Sequence, residues 1–188
     1  LFAAAQAAMG GPAQAIVCNA SLFEPDTGRD MQPDLLMQQL QVNLAAPMQL
    51  GSLLAKAHAA QPARDVAQPA PSLVHVLDQK VYNLNPDYFS YTLSKLALER
   101  AVALQAQALA PQLRVNAVAP GLMFVSGPQS EGNFARASRV NLMGQPIDPM
   151  DVARAAVFLA STASCTGATL SVDMGQHLVP LGRDVMFA

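Results

Sequence analysis

Apolar residues fall along this chain in two kinds of run. Short, nearly uninterrupted ones at 14–19 (QAIVCN), 73–77 (LVHVL), 113–118 (LRVNAV) and 167–173 (GATLSVD) read as buried strands. Longer ones repeat with helical spacing. The first covers 1–9 and is stopped by Gly10-Gly11-Pro12. The second covers 31–60, with Leu36, Leu40, Met48, Leu50, Leu53 and Leu54 on one face and a kink expected at Pro47. A third carries Tyr91 and runs to about 109, before Pro111. The last runs to about 160, with Asp148 as N-cap and Pro149 at its first helical position. Four strands alternating with helices predict an α/β fold, a parallel sheet covered on both faces.

Between these elements lie breakers. Residues 22–30 form a loop with Pro25, Asp26 and Gly28, and 61–71 (QPARDVAQPAP) reads as a surface linker. Residues 122–149 form a long Gly/Pro-interrupted segment with a short helix around 133–139, a length usual for a lid over a site. The apolar tail from Met174 onward is predicted to be irregular.

Chemistry-bearing residues gather at the predicted strand ends, the edge where an open α/β sheet presents groups to a ligand crevice. Asp78 follows the 73–77 strand, Asn19-Ala20-Ser21 follows 14–19, and Pro120-Gly121 follows 113–118. Small and amide residues there let a cofactor approach the backbone; a plain strand-to-loop transition would use the same residues. Asp78 could equally cap a backbone amide. Asn43 disfavours a helix interior, so it is either an amide on a wet face or one with a hydrogen-bonding reason to be there. Tyr91 and Lys95 lie one helical turn apart on one face. A phenol ordinarily ionises near pH 10, so only about one in a thousand is ionised at neutral pH. An adjacent ammonium favours the phenolate and should bring the pKa down toward the range useful for proton transfer.

Composition narrows the classes. The 188 residues suffice for one domain, and they are 52% hydrophobic but only 13% charged, so much helix surface must be covered by a layered core or by other subunits. A net charge of -2 provides no footprint for nucleic acid. No apolar run approaches the roughly 20 residues that span a membrane. Cys18 and Cys165 form neither a CxxC pair nor a disulfide framework, which suits a reducing, cytoplasmic setting. His58, His75 and His177 have no second ligand at a spacing that would hold a metal, so no metal is expected.

Taken in order, Asn19-Ala20-Ser21, Asn43, Asp78, Tyr91-xxx-Lys95, Pro120-Gly121 and the closing Val172-Asp173-Met174-Gly175 resemble the short-chain dehydrogenase/reductase family over nearly the whole chain. The resemblance implies a Rossmann-type doubly wound parallel sheet acting with a nicotinamide cofactor on a small-molecule substrate, usually as a homodimer or homotetramer. It makes Tyr91 the acid/base and Lys95 the partner that binds the nicotinamide ribose and lowers the Tyr91 pKa. It gives Asn43 a proton-relay water, and Asn19, Ala20, Ser21, Pro120 and Gly121 the cofactor wall. Cys18 and the absent threonine after Pro120-Gly121 depart from the pattern; Ser126 is offset and takes no role. The larger departure is Asp78, where most members have serine. With NAS in place of NAG, it resembles the pteridine reductase branch, which reduces dihydropterins and folates with NADPH. The family's first βαβαβ portion, with its glycine-rich turn, is not represented, so the chain is expected to be the C-terminal two-thirds of such a domain.

Chemistry supports the branch independently. Negative charge grows on a carbonyl oxygen during reduction, so a carboxylate beside it would repel. A C=N nitrogen must instead be protonated, and a carboxylate favours that cation. The leading expectation is therefore NADPH-dependent reduction of a pterin-like C=N bond. A carbonyl or hydroxyl substrate in the same family, or a non-catalytic protein on this fold, are the alternatives.

Overall fold

The structure is a computed structural model that describes residues 1–61 and 68–187. Most of the linker expected over 61–71 lies outside the described residues. Four strands, β1 (Ala15–Cys18), β2 (Ser72–Val76), β3 (Arg114–Pro120) and β4 (Thr169–Val172), form one sheet in the order β1-β2-β3-β4, every pairing parallel. The helices are α1 (Phe2–Met9), α2 (Pro33–Leu40), α3 (Ala46–Ala59), α4 (Phe89–Leu109), α5 (Glu131–Ala137) and α6 (Pro149–Ser161).

Parallel strands need crossovers, and the crossovers bury both faces of the sheet. Leu73, Val115 and Ala117 pack on one face with Leu54 of α3 and Leu98 and Val102 of α4. Val74 and Val118 pack on the other with Val152, Ala156 and Leu159 of α6. The central strand β3 is buried along its whole length, which is why 113–118 reads as a continuous apolar run. Each fully buried Leu or Val contributes about 1.5–3 kcal/mol. Among the described residues, strand β1 is at the edge, paired only with β2, and Val17 on it is 47% exposed.

Two local features orient the site. The long helix expected over 31–60 is divided by a wide π turn, Gln41–Ala45, in which the Ala46 N–H bonds back to the Gln41 carbonyl. Pro47 lacks an N–H and cannot donate to the Asn43 carbonyl four residues back, so the α-helical ladder is interrupted there. The second feature is the start of α4. Its N-cap, Tyr88, has φ 54° and provides no side-chain cap. Asp26, far back in the chain, takes that place: its carboxylate accepts from the Ser90 N–H at 3.0 Å and from the Ser90 hydroxyl. The acid also faces the positive end of the helix dipole.

The short helix expected around 133–139 is α5, two residues earlier and N-capped by Ser130. The tail is more ordered than its sequence suggests, with 3-10 turns at Gln176–Leu178 and Val185–Phe187. Among the described residues no helix is long and apolar enough to cross a membrane, and both cysteines are free.

Candidate active site

A cavity of about 290 Å³ opens at the C-terminal edge of the sheet. Seven of the nine site residues read from the sequence line it: Asn19, Ser21, Asp78, Tyr91, Lys95, Pro120 and Gly121. Ala20 is exposed beside them, and Asn43 is buried behind the wall at 1% exposure.

Three strand ends and one helix converge because the parallel register brings the ends of β1, β2 and β3 level. Asp78 leaves β2 and caps the 3-10 turn Gln79–Val81, accepting from the Lys80 N–H at 2.9 Å. Its other oxygen accepts a hydrogen bond from the Tyr91 hydroxyl, also at 2.9 Å. The capping role and the site role are thus both present in one carboxylate. Lys95 lies one turn beyond Tyr91, with Nζ 5.6 Å from the Tyr91 ring centre and donating to the Val76 carbonyl at 2.8 Å.

The electrostatics correct one sequence expectation. Lys95 was expected to draw the Tyr91 pKa down; in the folded chain it stands well above the ordinary phenol value. Burial is the largest cause, and the Asp78 charge and hydrogen bond add to it. Tyr91 is only 5% exposed, and the group touching its hydroxyl is an anion rather than the ammonium. Burial also pushes the Asp78 carboxyl up and the Lys95 ammonium down to about 8. The pair Asp78–Tyr91 is therefore arranged to keep a proton.

Asn43 is a clamp whose side chain is fully used. Its Oδ1 accepts from the Leu22 N–H at 2.7 Å and the Ser21 hydroxyl at 3.1 Å. Its Nδ2 donates to the Leu22 carbonyl and to Ser94 Oγ, both at 2.9 Å. An amide has two donors and two lone pairs, so this side chain has no capacity left for a relay water. Pro47 has no N–H to give the Asn43 main-chain carbonyl four residues back.

Several cavity residues escaped the sequence reading. Phe23 stacks on Tyr88 at 4.0 Å between ring centres and meets Tyr91 edge-on at 4.6 Å. It is held between Asn43, which grips Leu22, and Asp26, which grips α4. Gln79 and Gln176 line the same cavity, as do Asp184, Val185 and Met186 from the tail and Ser126, to which the sequence assigns no role. The tail is fastened by a buried ion pair, Lys80 to Asp184 at 2.8 Å, and by Asp87, which accepts from the Arg183 side chain and the Asp184 N–H. An aromatic two residues after a serine, or a glutamine after an aspartate, carries no periodicity that would single it out.

The residues fit the nicotinamide end of a dinucleotide. Gly121 lines the cavity and sits so close to Gln176 Oε1, Ile147 and Asp173 that any Cβ would collide, so only glycine fits that strand end. Lys95 commits one N–H to Val76 and has no other hydrogen-bond partner among the described residues, so it retains donors of the kind a ribose hydroxyl would need.

Comparison with known proteins gives a consistent picture. Residues 1–177 match the family model described as enoyl-(acyl carrier protein) reductase, a grouping of short-chain dehydrogenases and reductases. The dihydromonapterin reductase of Citrobacter koseri is 26% identical over 165 residues, covering 88% of this chain and 67% of the relative. The crystal structure of FolM alternative dihydrofolate reductase 1 from Brucella canis, complexed with NADP, superposes with a TM-score of 0.81 at 36% identity. That match covers 89% of this chain and 64% of the other. The angucycline C-6 ketoreductase LanV with bound NADP is 23% identical with a TM-score of 0.77, covering 95% of this chain and 68% of the other, a likeness of fold alone. The chain thus spans about two thirds of the length of the proteins it matches.

Proposed function

The chain belongs to the short-chain dehydrogenase/reductase family, and from that premise we propose that it carries the catalytic half of an NADPH-dependent reductase of pterin- or dihydrofolate-like C=N bonds. The observation that carries this reading is the hydrogen bond from the Tyr91 hydroxyl to Asp78, buried against Phe23. The names of the matched dihydromonapterin reductase and FolM proteins support the same substrate class, and the NADP in the matched FolM structure supports that cofactor over NAD.

When bound, the nicotinamide supplies a hydride to the carbon of the C=N bond. The nitrogen takes a proton from Tyr91, and Asp78, whose carboxyl is pushed up by burial, carries the replacement proton to the phenol. The Asp78 charge favours protonation of the nitrogen and would oppose an oxyanion at the same place. Lys95 provides positive charge behind the phenol and N–H groups for the ribose. Asn43 holds the Ser21–Leu22 backbone, and with it Asn19 and Phe23, against the catalytic helix, while its main-chain carbonyl can seat a relay water. Asn19, Ala20, Ser21, Pro120 and Gly121 form the cofactor wall.

The open edge of β1 is where we place the pairing of the family's glycine-rich strand, which would bring the phosphate-binding turn. Val157, Phe158 and Leu104 are each more than half exposed on α6 and α4, and we infer that they are covered in a homodimer or homotetramer. The free cysteines suit a cytoplasmic enzyme. The test is NADPH oxidation by full-length protein offered a 7,8-dihydropterin and a simple ketone. Faster turnover of the dihydropterin is expected. Turnover of the ketone alone would favour the carbonyl reading, and turnover of neither a non-catalytic role.

A further inference from the structure

Tyr91 stands in the first turn of α4, three residues after the N-cap Tyr88. The first N–H groups of a helix have no partners within it, so that turn is the part of α4 most dependent on outside support. Tyr88 supplies none from its side chain, and its own backbone is left-handed, with φ 54° and ψ 50°. A tyrosine enters that region at a cost and stays there only when its surroundings hold it.

Asp26 does the holding. It is 8% exposed and grips both residues that follow Tyr88. Its main-chain carbonyl accepts from the Phe89 N–H at 3.3 Å. Its carboxylate accepts from the N–H and the hydroxyl of Ser90, which is fully buried. Thr27, next in the chain, bridges to Asp87 on the other side of Tyr88. Two adjacent residues thus clamp the left-handed turn from both ends. Within that clamp the Tyr88 ring lies on Phe23, whose edge meets Tyr91, and the Tyr88 hydroxyl donates to Met186 Sδ at 3.1 Å.

The partner of the Tyr91 hydroxyl belongs to a different part of the fold. Asp78 is fixed beyond the end of β2 by the Lys80 N–H, and among the described residues its only hydrogen bond to α4 is the one from Tyr91. That 2.9 Å bond therefore depends on where the first turn of α4 sits. Lys95, one turn deeper, has its own tie to the Val76 carbonyl at 2.8 Å.

We propose that Asp26 is a positioning residue for Tyr91: by clamping the left-handed turn at Tyr88 it fixes the first turn of α4, so that the Tyr91 hydroxyl meets Asp78 and the substrate. This rests on the reading of Tyr91 as the proton donor and deepens it. Asp26 is not among the residues that line the cavity, so it acts through Tyr91 and not on the substrate.

The experiment is a double-mutant cycle on full-length protein: parent, Asp26→Ala, Tyr91→Phe and the double variant. NADPH oxidation is followed with 7,8-dihydropterin or a simple ketone, whichever the parent reduces faster. Asp26→Ala should lower kcat about ten- to a hundred-fold, up to the cost of a roughly 1 Å misplacement, with the KM for NADPH little changed. In the Tyr91→Phe background it should cost nothing further, because the group it positions is gone. Asp26→Asn, whose amide can accept from the Ser90 N–H and donate to its hydroxyl, should retain most of the parent rate. Ser90→Ala removes one of the two carboxylate contacts and keeps the other, so it tests the same link with a milder change. Its loss in kcat should be smaller and should also vanish in the Tyr91→Phe background. A loss by the same factor in both backgrounds would make Asp26 a general support of the fold and overturn the assignment, as would an Asp26→Ala enzyme as fast as the parent. If Tyr91→Phe is itself as fast as the parent, or the parent reduces neither substrate, the reading of Tyr91 as donor falls and this inference with it.

Discussion

The carboxylate beside Tyr91 gives the sharpest prediction. In Asp78→Asn one oxygen can still accept from the Lys80 N–H, so the cap of the 3-10 turn is retained. The amide nitrogen then faces the Tyr91 hydroxyl, which loses its 2.9 Å acceptor and the anion that holds its proton. A hydrogen bond to a charged partner is worth about 1.5–3 kcal/mol, equivalent to about a ten- to hundred-fold change in rate. The same charge opposes a growing oxyanion, so its removal has the opposite sign for a ketone. Asp78→Asn should therefore lower kcat/KM for a dihydropterin by that factor and leave ketone reduction unchanged or improved. Asp78→Ser, which adds a hydroxyl donor, should shift the ratio further toward the ketone. The assay is NADPH consumption with both substrates, alongside urea denaturation to show that the cap survives. Equal losses on the two substrates would reduce Asp78 to a structural cap and remove the chemical argument for C=N reduction.

Tyr91→Phe keeps the ring packed on Phe23 and deletes the proton, so kcat should fall about 10²–10⁴-fold with little change in cofactor Kd by fluorescence titration; turnover within a few-fold of the parent would mean another group is the acid. Burial lowers the Lys95 pKa to about 8, so the cation is present below that pH and lost above it; kcat/KM should decline as pH rises through about 8, and a profile flat to pH 10 would contradict this. His75 is fully buried, its Nε2 paired with Gln105 at 2.9 Å, and burial lowers its pKa to about 4 from 6.5. The unfolded chain then binds the extra proton first. Stability should fall as pH drops below 6.5 toward 4, by ~2 kcal/mol at pH 5, read as the urea-midpoint difference between parent and His75→Gln; a difference that does not change with pH would refute it.

Much of this protein follows from local pattern. Uninterrupted apolar runs at 73–77 and 113–118 are strands because both of their faces are buried, and Tyr91 and Lys95 share a face because a helix turns every 3.6 residues. Asp78 and Pro120-Gly121 reach one edge because parallel strands end together, so periodicity and order place these residues at one edge, while the roles proposed for them rest on the family resemblance. What the sequence could not express is the environment of each group. Tyr91 has its pKa raised rather than lowered because folding puts Asp78, not Lys95, against its hydroxyl and removes water from both. Asn43 saturates its amide on Ser21, Leu22 and Ser94, partners that only the packing of α4 against the π turn brings within reach. Asp26 caps a helix 64 residues later in the chain, and Asp184 closes the cavity from the tail by pairing with Lys80 across 104 residues. Periodicity reports which face of an element is buried; hydrogen-bond partners and desolvation depend on which faces meet, and that is decided by the tertiary fold.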